Sequence, residues 1–226
     1  MRIVFLIVGS IVLLTAFGFL VGGGALLWLN TTLADDEGFL SIQSQPVETD
    51  SHAIIVKHAN VRVAEWGWWR VSSTDVVTIR VRGFSNSPSK RIFLGIAKES
   101  DASTYLAGVA YDEITRLGVS GDPFRGFTFE VERTTHLGGA LPSGPTSQTF
   151  WTASTHGSGT QTLYWSPEDG SYWIVLMNED GSADVDVTVG VGVKVPVLST
   201  IAASLLFLGI LAVIIGGVLI YLSLRR

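Results

Sequence analysis

A chain of 226 residues, 47% hydrophobic and only 15% charged, with a mean hydropathy of +0.40 and a net charge of −5, has room for one ordinary domain and an apolar remainder. With no cysteine it excludes disulfides, thiolate zinc sites, iron–sulfur clusters and cysteine nucleophiles. All 20 acidic residues but only 12 of the 15 basic ones lie between the two most apolar stretches, which leaves the middle at −8, a surface that repels nucleic acid and anionic lipid.

The first apolar stretch, from Ile3 to Leu29, contains no Asp, Glu, Lys, Arg or His, and neither does the last, from Val195 to Leu224. Each exceeds the roughly 20 helical residues that a hydrocarbon core of about 30 Å requires. Within lipid the backbone must satisfy its own hydrogen bonds, so both are expected as helices. Met1-Arg2 and Thr32-Leu33-Ala34 would also suit a cleaved signal peptide. The apolar part of such a peptide is about 7–15 residues, however, and this one is far longer, so a retained span is expected. The division that follows is residues 1–30 as one membrane helix, 31–194 as a domain outside the cytoplasm, and 195–226 as a second helix with a basic tail.

Arg2 flanks the first helix and Arg225-Arg226 close the second, while Asp35, Asp36 and Glu37 lie at the opposite end. Positive charge favours the cytoplasmic side, so the expected protein is a two-span plasma-membrane protein with both termini inside. Trp28 and Tyr221 suit the membrane interface. Gly18 and Gly22 have the small-xxx-small spacing that admits a second helix, and Gly209 and Gly216 offer the matching positions. Contact with lipid and oligomerisation through these helices are the partnerships so implied. Asn30-Thr31-Thr32 fits a glycosylation acceptor beside the membrane.

Between the spans the pattern changes to alternation and to β-branched and aromatic residues. Strands are expected at Phe39–Gln43, Ala53–His58, Asp75–Arg82, Ile92–Lys98, Phe127–Arg133, Thr149–Ser154, Thr160–Ser166, Ser171–Asn178 and Val185–Val193. Turn signals such as Asn86-Ser87-Pro88, Glu168-Asp169-Gly170 and Asp180-Gly181 separate them. One short helix is expected from Ala102 to about Val109, capped by Ser100 or Asp101. The fold class is thus an all-β domain (an antiparallel sandwich, jelly-roll or immunoglobulin-like) flanked by two transmembrane helices.

Candidate sites are few. Trp66, Trp68 and Trp69 sit between two expected strands, where they could pack in the core, meet the membrane, or bind a partner or glycan. Asn178, Asp180, Asp184 and Asp186 are a run of oxygen donors that could hold calcium, although Asp-Gly between strands is also the ordinary hairpin signal. His52, His58, His136 and His156 match no zinc signature. Ser154-Thr155-His156 places hydroxyls beside an imidazole without a nucleophile-elbow motif. No phosphate-binding glycine loop is present.

Three stretches carry a resemblance: Phe93-Leu94-Gly95-Ile96-Ala97 with Tyr105-Leu106-Ala107-Gly108-Val109, Gly159-Thr160-Gln161-Thr162-Leu163-Tyr164-Trp165, and Gly170-Ser171-Tyr172-Trp173-Ile174-Val175-Leu176-Met177-Asn178 with Asp180-Gly181. With the two flanking spans they resemble a group of functionally uncharacterised two-span membrane proteins of the actinobacterial cell envelope. The resemblance implies an envelope location and brings no catalytic residues with it.

The expected function is a membrane-anchored, non-catalytic interaction or scaffolding module whose partners are lipid, another envelope protein or a glycan, with no catalytic residues and no cofactor beyond the possible calcium. The alternatives are an envelope enzyme acting on polysaccharide or lipid, using paired acids such as Asp112 and Glu113 or those of Asp180–Asp186, and a subunit of an oligomeric channel or transporter.

Overall fold

The computed structural model describes residues 2–41, 44–61, 77–122 and 126–224. The chain divides into two compact units, residues 1–40 with 195–226, and residues 41–194.

The first unit is a pair of long helices, α1 (Arg2–Leu33) and α3 (Val197–Leu224). Both are long and apolar enough to cross a membrane. At 1.5 Å per residue the 32 residues of α1 reach about 48 Å, more than a hydrocarbon core needs. The helices run antiparallel, because Gly9 lies against Gly216 and Ile220 while Gly23 lies against Ala202 and Leu206. Small residues recur every seventh position along both contact stripes. On α1 these are Gly9, Ala16 and Gly23, and on α3 they are Ala202, Gly209, Gly216 and Ser223, all of them buried. A seven-residue period keeps one stripe facing its partner along the full length of a helix pair.

This differs in part from the four-residue spacing expected from sequence. Gly209 and Gly216 do lie in the contact, where an added Cβ would stand 2.8 Å from Leu20 and from Leu13 respectively. Gly18 and Gly22 have open space around them. Their places are taken by Gly9 and Gly23, because the helices follow the seven-residue stripe. Asn30, Thr31 and Thr32 are the last turn of α1, where the Thr31 hydroxyl donates to Leu27 O at 2.9 Å. The outward sides carry Ile3, Leu14, Phe17, Phe207 and Ile214, the apolar surface that lipid would cover.

The second unit is built from two sheets and an outer layer. Its described elements are β1 (Leu40–Ser41), β2 (Gln45–Thr49), β3 (Ala53–Val61), β4 (Thr78–Ser85), β5 (Ile92–Lys98), α2 (Glu99–Tyr105), β6 (Tyr111–Asp122), β7 (Gly126–His136), β8 (Ala153–Gly157), β9 (Gln161–Trp165), β10 (Gly170–Asn178) and β11 (Val185–Lys194). The first sheet has the order β1-β11-β4-β9, with β2 also paired to β11; the second has the order β7-β6-β3-β10-β5-β8. Every pair with a described register is antiparallel except β3 with β6, which is parallel, so the expected wholly antiparallel sandwich is modified at one place.

Side-chain alternation sorts the core into two layers. Val47, Ile54, Val81, Leu94, Ile96, Leu163, Leu176 and Val187 meet between the sheets. The other face of the second sheet presents Ala53, Ile55, Phe93, Val175 and Met177, and α2 with the 137–152 segment covers it through Ala102, Tyr105, Leu141, Phe150 and Trp151. Trp151 lies on Phe93 at 4.9 Å between ring centroids and donates Nε1–H to Pro145 O at 2.9 Å. Burial pushes the Tyr105 phenol up to about 12, so it stays protonated and donates to Ser143 O at 2.8 Å.

Two expected elements moved, and the strand β6 was not expected. The helix begins one turn early, at Glu99 rather than Ala102, and ends before Gly108, whose φ of 75° leaves the helical region. The strand expected at Thr149–Ser154 starts at Ala153, because Phe150 and Trp151 turn into the outer layer. β6, with Gly118 and Gly121 inside it, has little β propensity in its second half, yet it pairs with β7 along its full length.

Candidate functional site

The strongest grouping of ionisable side chains lies on the outer face of the second sheet, beside the layer formed by α2. Along β3, Ala53 and Ile55 point to this face, and Lys57 is the next residue in that series. On the parallel neighbour β6, Glu113 stands opposite Ile55. On β7, His136 stands opposite Tyr111. Trp173 joins them from β10, at the point where the β10–β3 register breaks between Tyr172 and Ile174.

One carboxylate holds the group together. Oε2 of Glu113 accepts from Lys57 Nζ at 2.6 Å and from His136 Nε2 at 2.8 Å. Lys57 also donates to the Tyr111 hydroxyl at 3.2 Å, and its ammonium lies 4.8 Å from the Trp173 ring centroid and 5.2 Å from that of Tyr111. The Tyr111 and His136 rings stack at 4.4 Å. A cation between two aromatic faces gains from both quadrupoles, more so when partly dehydrated.

These contacts fix charge states. Burial pulls Lys57 down, but its hydrogen bonds to Glu113 and Tyr111, with their fields, carry it above the usual lysine value. Burial likewise pushes Glu113 up, but the hydrogen bonds and charges of Lys57 and His136 hold it below the usual carboxylate range. A nucleophilic lysine needs a lowered pKa and a carboxylic general acid needs a raised one. Both shifts here run the other way. The group is built to stay charged.

Beside it lies a cavity of about 230 Å³, lined by Leu106, Val109, Tyr111, His136, Leu137 and Trp173 among others. Trp173 is buried and its Nε1 has no hydrogen-bond partner among the described residues. Leu137 is 94% exposed, whereas nearly all the other exposed large apolar residues lie on α1 and α3. The chain holds Leu137 there by laying Gly138-Gly139 directly on the α2–β6 turn. Gly139 N donates to Gly108 O at 2.8 Å and Ala110 N to Gly139 O at 3.0 Å. A Cβ at Gly138 would stand 2.5 Å from Gly108 O and nearer still to the carbonyl carbon of Val109, so the approach requires glycine.

The residues singled out from sequence fare differently. Trp66, Trp68 and Trp69 lie outside the described residues. The calcium set is not brought together. The buried side chain of Asn178 donates inward to the carbonyl oxygens of Ser182 and Ala183. Asp180 Oδ1 accepts from Ser182 N at 3.0 Å, and Asp186 Oδ1 accepts from Asn86 at 2.6 Å. Lys90 Nζ rests on the carbonyls of Ala183 and Asp184 at 2.7 and 2.8 Å. A side-chain cation already occupies the oxygen-rich end of this loop. Among the described residues no group of three or more His, Cys, Asp or Glu could hold a metal ion.

Asp112 and Glu113 do not form a catalytic pair, because successive β6 residues point to opposite faces and Asp112 faces the inter-sheet side with Ile114. His52 binds Gly181 O at 2.9 Å, and His156 faces Glu179 at 3.3 Å while the neighbouring Thr155 hydroxyl is spent on Gln161. The Ser154-Thr155-His156 stretch therefore makes no nucleophile–base arrangement. Lys57, and the convergence of Lys57 and His136 on Glu113, were missed from sequence. The available signal was a lysine continuing the buried Ala53–Ile55 series of a strand, a position that demands a partner.

No family model matches the chain, and no curated protein matches it.

Proposed function

We propose that this protein is a membrane-anchored recognition module of the cell envelope, with its β-domain outside the cytoplasm. The observation that carries the reading is a cavity of about 230 Å³ with the exposed Leu137 at its edge and the Tyr111, His136 and Trp173 rings in its lining. Concave sites lined by apolar and aromatic side chains with a few polar groups are where ligands and partner side chains usually seat. The occupant that fits is an apolar or aromatic side chain of another envelope protein, laid against Leu137 and the ring-lined cavity. The locked charges of Lys57 and Glu113 hold the Tyr111 and His136 side chains of the lining in place and are unsuited to proton transfer.

The charge pattern supports the sidedness. Arg2 opens α1 and Arg225-Arg226 come directly after α3 in the sequence, while Asp35, Asp36 and Glu37 follow the other end of α1. The resemblance to actinobacterial envelope proteins points the same way. A photo-crosslinking residue at position 137 tests the assignment in intact cells. A discrete adduct is expected, lost when Ala107→Glu, at an exposed position of the lining, closes the cavity with a charge. The absence of any adduct, or one unaffected by Ala107→Glu, would refute it. Protease applied from outside should cleave between the helices and leave the helical ends protected.

A further inference from the structure

A second cavity lies on the other side of β6, and nothing in the recognition notch accounts for it. It measures about 530 Å³ and is lined by Glu48, Thr49, Asp50, Ser51, Asp112, Arg133 and Thr135. That volume is in the range of small-molecule sites, roughly 300–1,000 Å³.

The register explains how it forms. Asp112 pairs with Thr135 across β6 and β7, and Ile114 pairs with Arg133. All four therefore point to the inter-sheet side, at the β7–β6 end of the second sheet. Arg133 bridges the gap by donating to Glu48 O at 2.6 Å, and the turn after β2 brings Asp50 and Ser51 round. Among the described residues, polar side chains stand here where core residues fill the space elsewhere between the sheets.

Asp112 is the residue without an explanation. It is only 8% exposed, Oδ1 has no hydrogen-bond partner, and no ion pair reaches it among the described residues. A carboxylate so dehydrated normally has a cation or several donors beside it, because a buried charge left without them is strongly disfavoured. Arg133, the one cationic residue of the lining, is turned to Glu48 O. Three carboxylates against one guanidinium make the cavity anion-repelling. The acids do not converge as metal ligands either.

We infer that this cavity binds a small organic ammonium ion, with Asp112 as its counter-ion and the hydroxyls of Thr49, Ser51 and Thr135 as acceptors for the remaining N–H groups or for hydroxyls on the ligand. An ammonium presents three donors in a compact head, which suits a carboxylate ringed by hydroxyl oxygens. An amino sugar and an ethanolamine headgroup share this chemistry.

The test is calorimetric titration of the full-length protein in neutral detergent with glucosamine, with ethanolamine, and with N-acetylglucosamine as the uncharged counterpart. Saturable binding is expected for at least one amine, and the stronger amine names the source. N-acetylglucosamine and the Asp112→Asn protein should each bind about tenfold more weakly or worse, the loss expected for one charge-assisted hydrogen bond. Asp50→Asn, at an exposed position that leaves the fold alone, should weaken the amines by a smaller factor and leave the neutral sugar unchanged. Binding of neither amine, equal binding of amine and amide, or amine binding that survives both substitutions would overturn the inference. None of these outcomes bears on the crosslink at position 137.

Discussion

Lys57 and His136 meet on a single oxygen atom, Oε2 of Glu113, from strands on either side of β6. One carboxylate thereby ties β3, β6 and β7 together on the outer face of the second sheet. The parallel pairing of β3 with β6 places Glu113 beside Lys57, and the antiparallel pairing of β6 with β7 places it beside His136.

The first prediction concerns acid stability. The folded pKa of Glu113 is lowered, so its contribution is present above the unfolded value of about 4.3 and is lost as pH falls through the folded value. Asp180 is lowered too, by hydrogen bonds from Ser182, and adds its own acid limb. Glu113→Gln should therefore flatten only part of the acid limb while lowering stability at neutral pH by about 1.5–3 kcal/mol, the worth of hydrogen bonds to a charged group. Urea midpoints followed by tryptophan fluorescence between pH 2 and 7 measure both. An unchanged acid limb in the variant would remove the network from the account of stability.

The second prediction separates adjacent glycines. Gly23 and Gly22 are neighbours on α1, yet a Cβ at Gly23 would stand 3.0 Å from Ala202 O and from Leu206 N, while one at Gly22 meets nothing. Gly23→Leu should force the helices apart and Gly22→Leu should not. The natural chain has no cysteine, so spin labels on Leu14→Cys and Phe207→Cys, both outward-facing, report the inter-helix distance cleanly. Equal effects of the two substitutions would mean that the seven-residue stripe is not the contact.

The sequence revealed the greasy ends because hydrocarbon thickness imposes a length that needs no tertiary knowledge. It also revealed most strands, because alternation in Thr78-Ile79-Arg80-Val81-Arg82 reads directly as two faces. It did not reveal β2, which contains Pro46; among the described residues β2 pairs with β11 alone, and an edge strand tolerates the missing N–H. Nor did it reveal the network. Lys57, Glu113 and His136 are far apart in the chain and meet through a parallel pairing whose crossover passes through β4, β5 and α2. Local pattern carries no information about such a pairing. The four-residue glycine spacing misled for a related reason: which stripe of a helix meets its partner is set by both helices together.

The third prediction concerns the loop after β10. Lys90 caps the carbonyls of Ala183 and Asp184, which would otherwise be the natural oxygen ligands of a divalent ion. Millimolar calcium should leave the melting midpoint of the protein unchanged. Lys90→Met should loosen the loop and lower stability by about 1–3 kcal/mol, because two carbonyls lose a charged donor. A calcium-dependent rise in the midpoint of the natural protein would show that Lys90 yields its place to the ion.

The fourth prediction concerns the support of Leu137. The 137–139 segment can lie on the α2–β6 turn only because position 138 lacks a Cβ, and the contact there is backbone against backbone, which no rotamer change can relieve. Gly138→Ala should lift the segment and break the two hydrogen bonds that join Gly139 to Gly108 and Ala110. At about 1 kcal/mol for each bond, the cost is local rather than global. Amide exchange should then accelerate at Gly139 and Ala110 while Ile54 and Val175, deep in the second sheet, keep their protection. The photo-crosslink from position 137 should fall in the same variant even though the leucine-bearing face is chemically intact. If exchange at Gly139 and Ala110 stayed slow, the leucine would owe its position to something other than this close approach, and the notch would lose its structural basis as a recognition site.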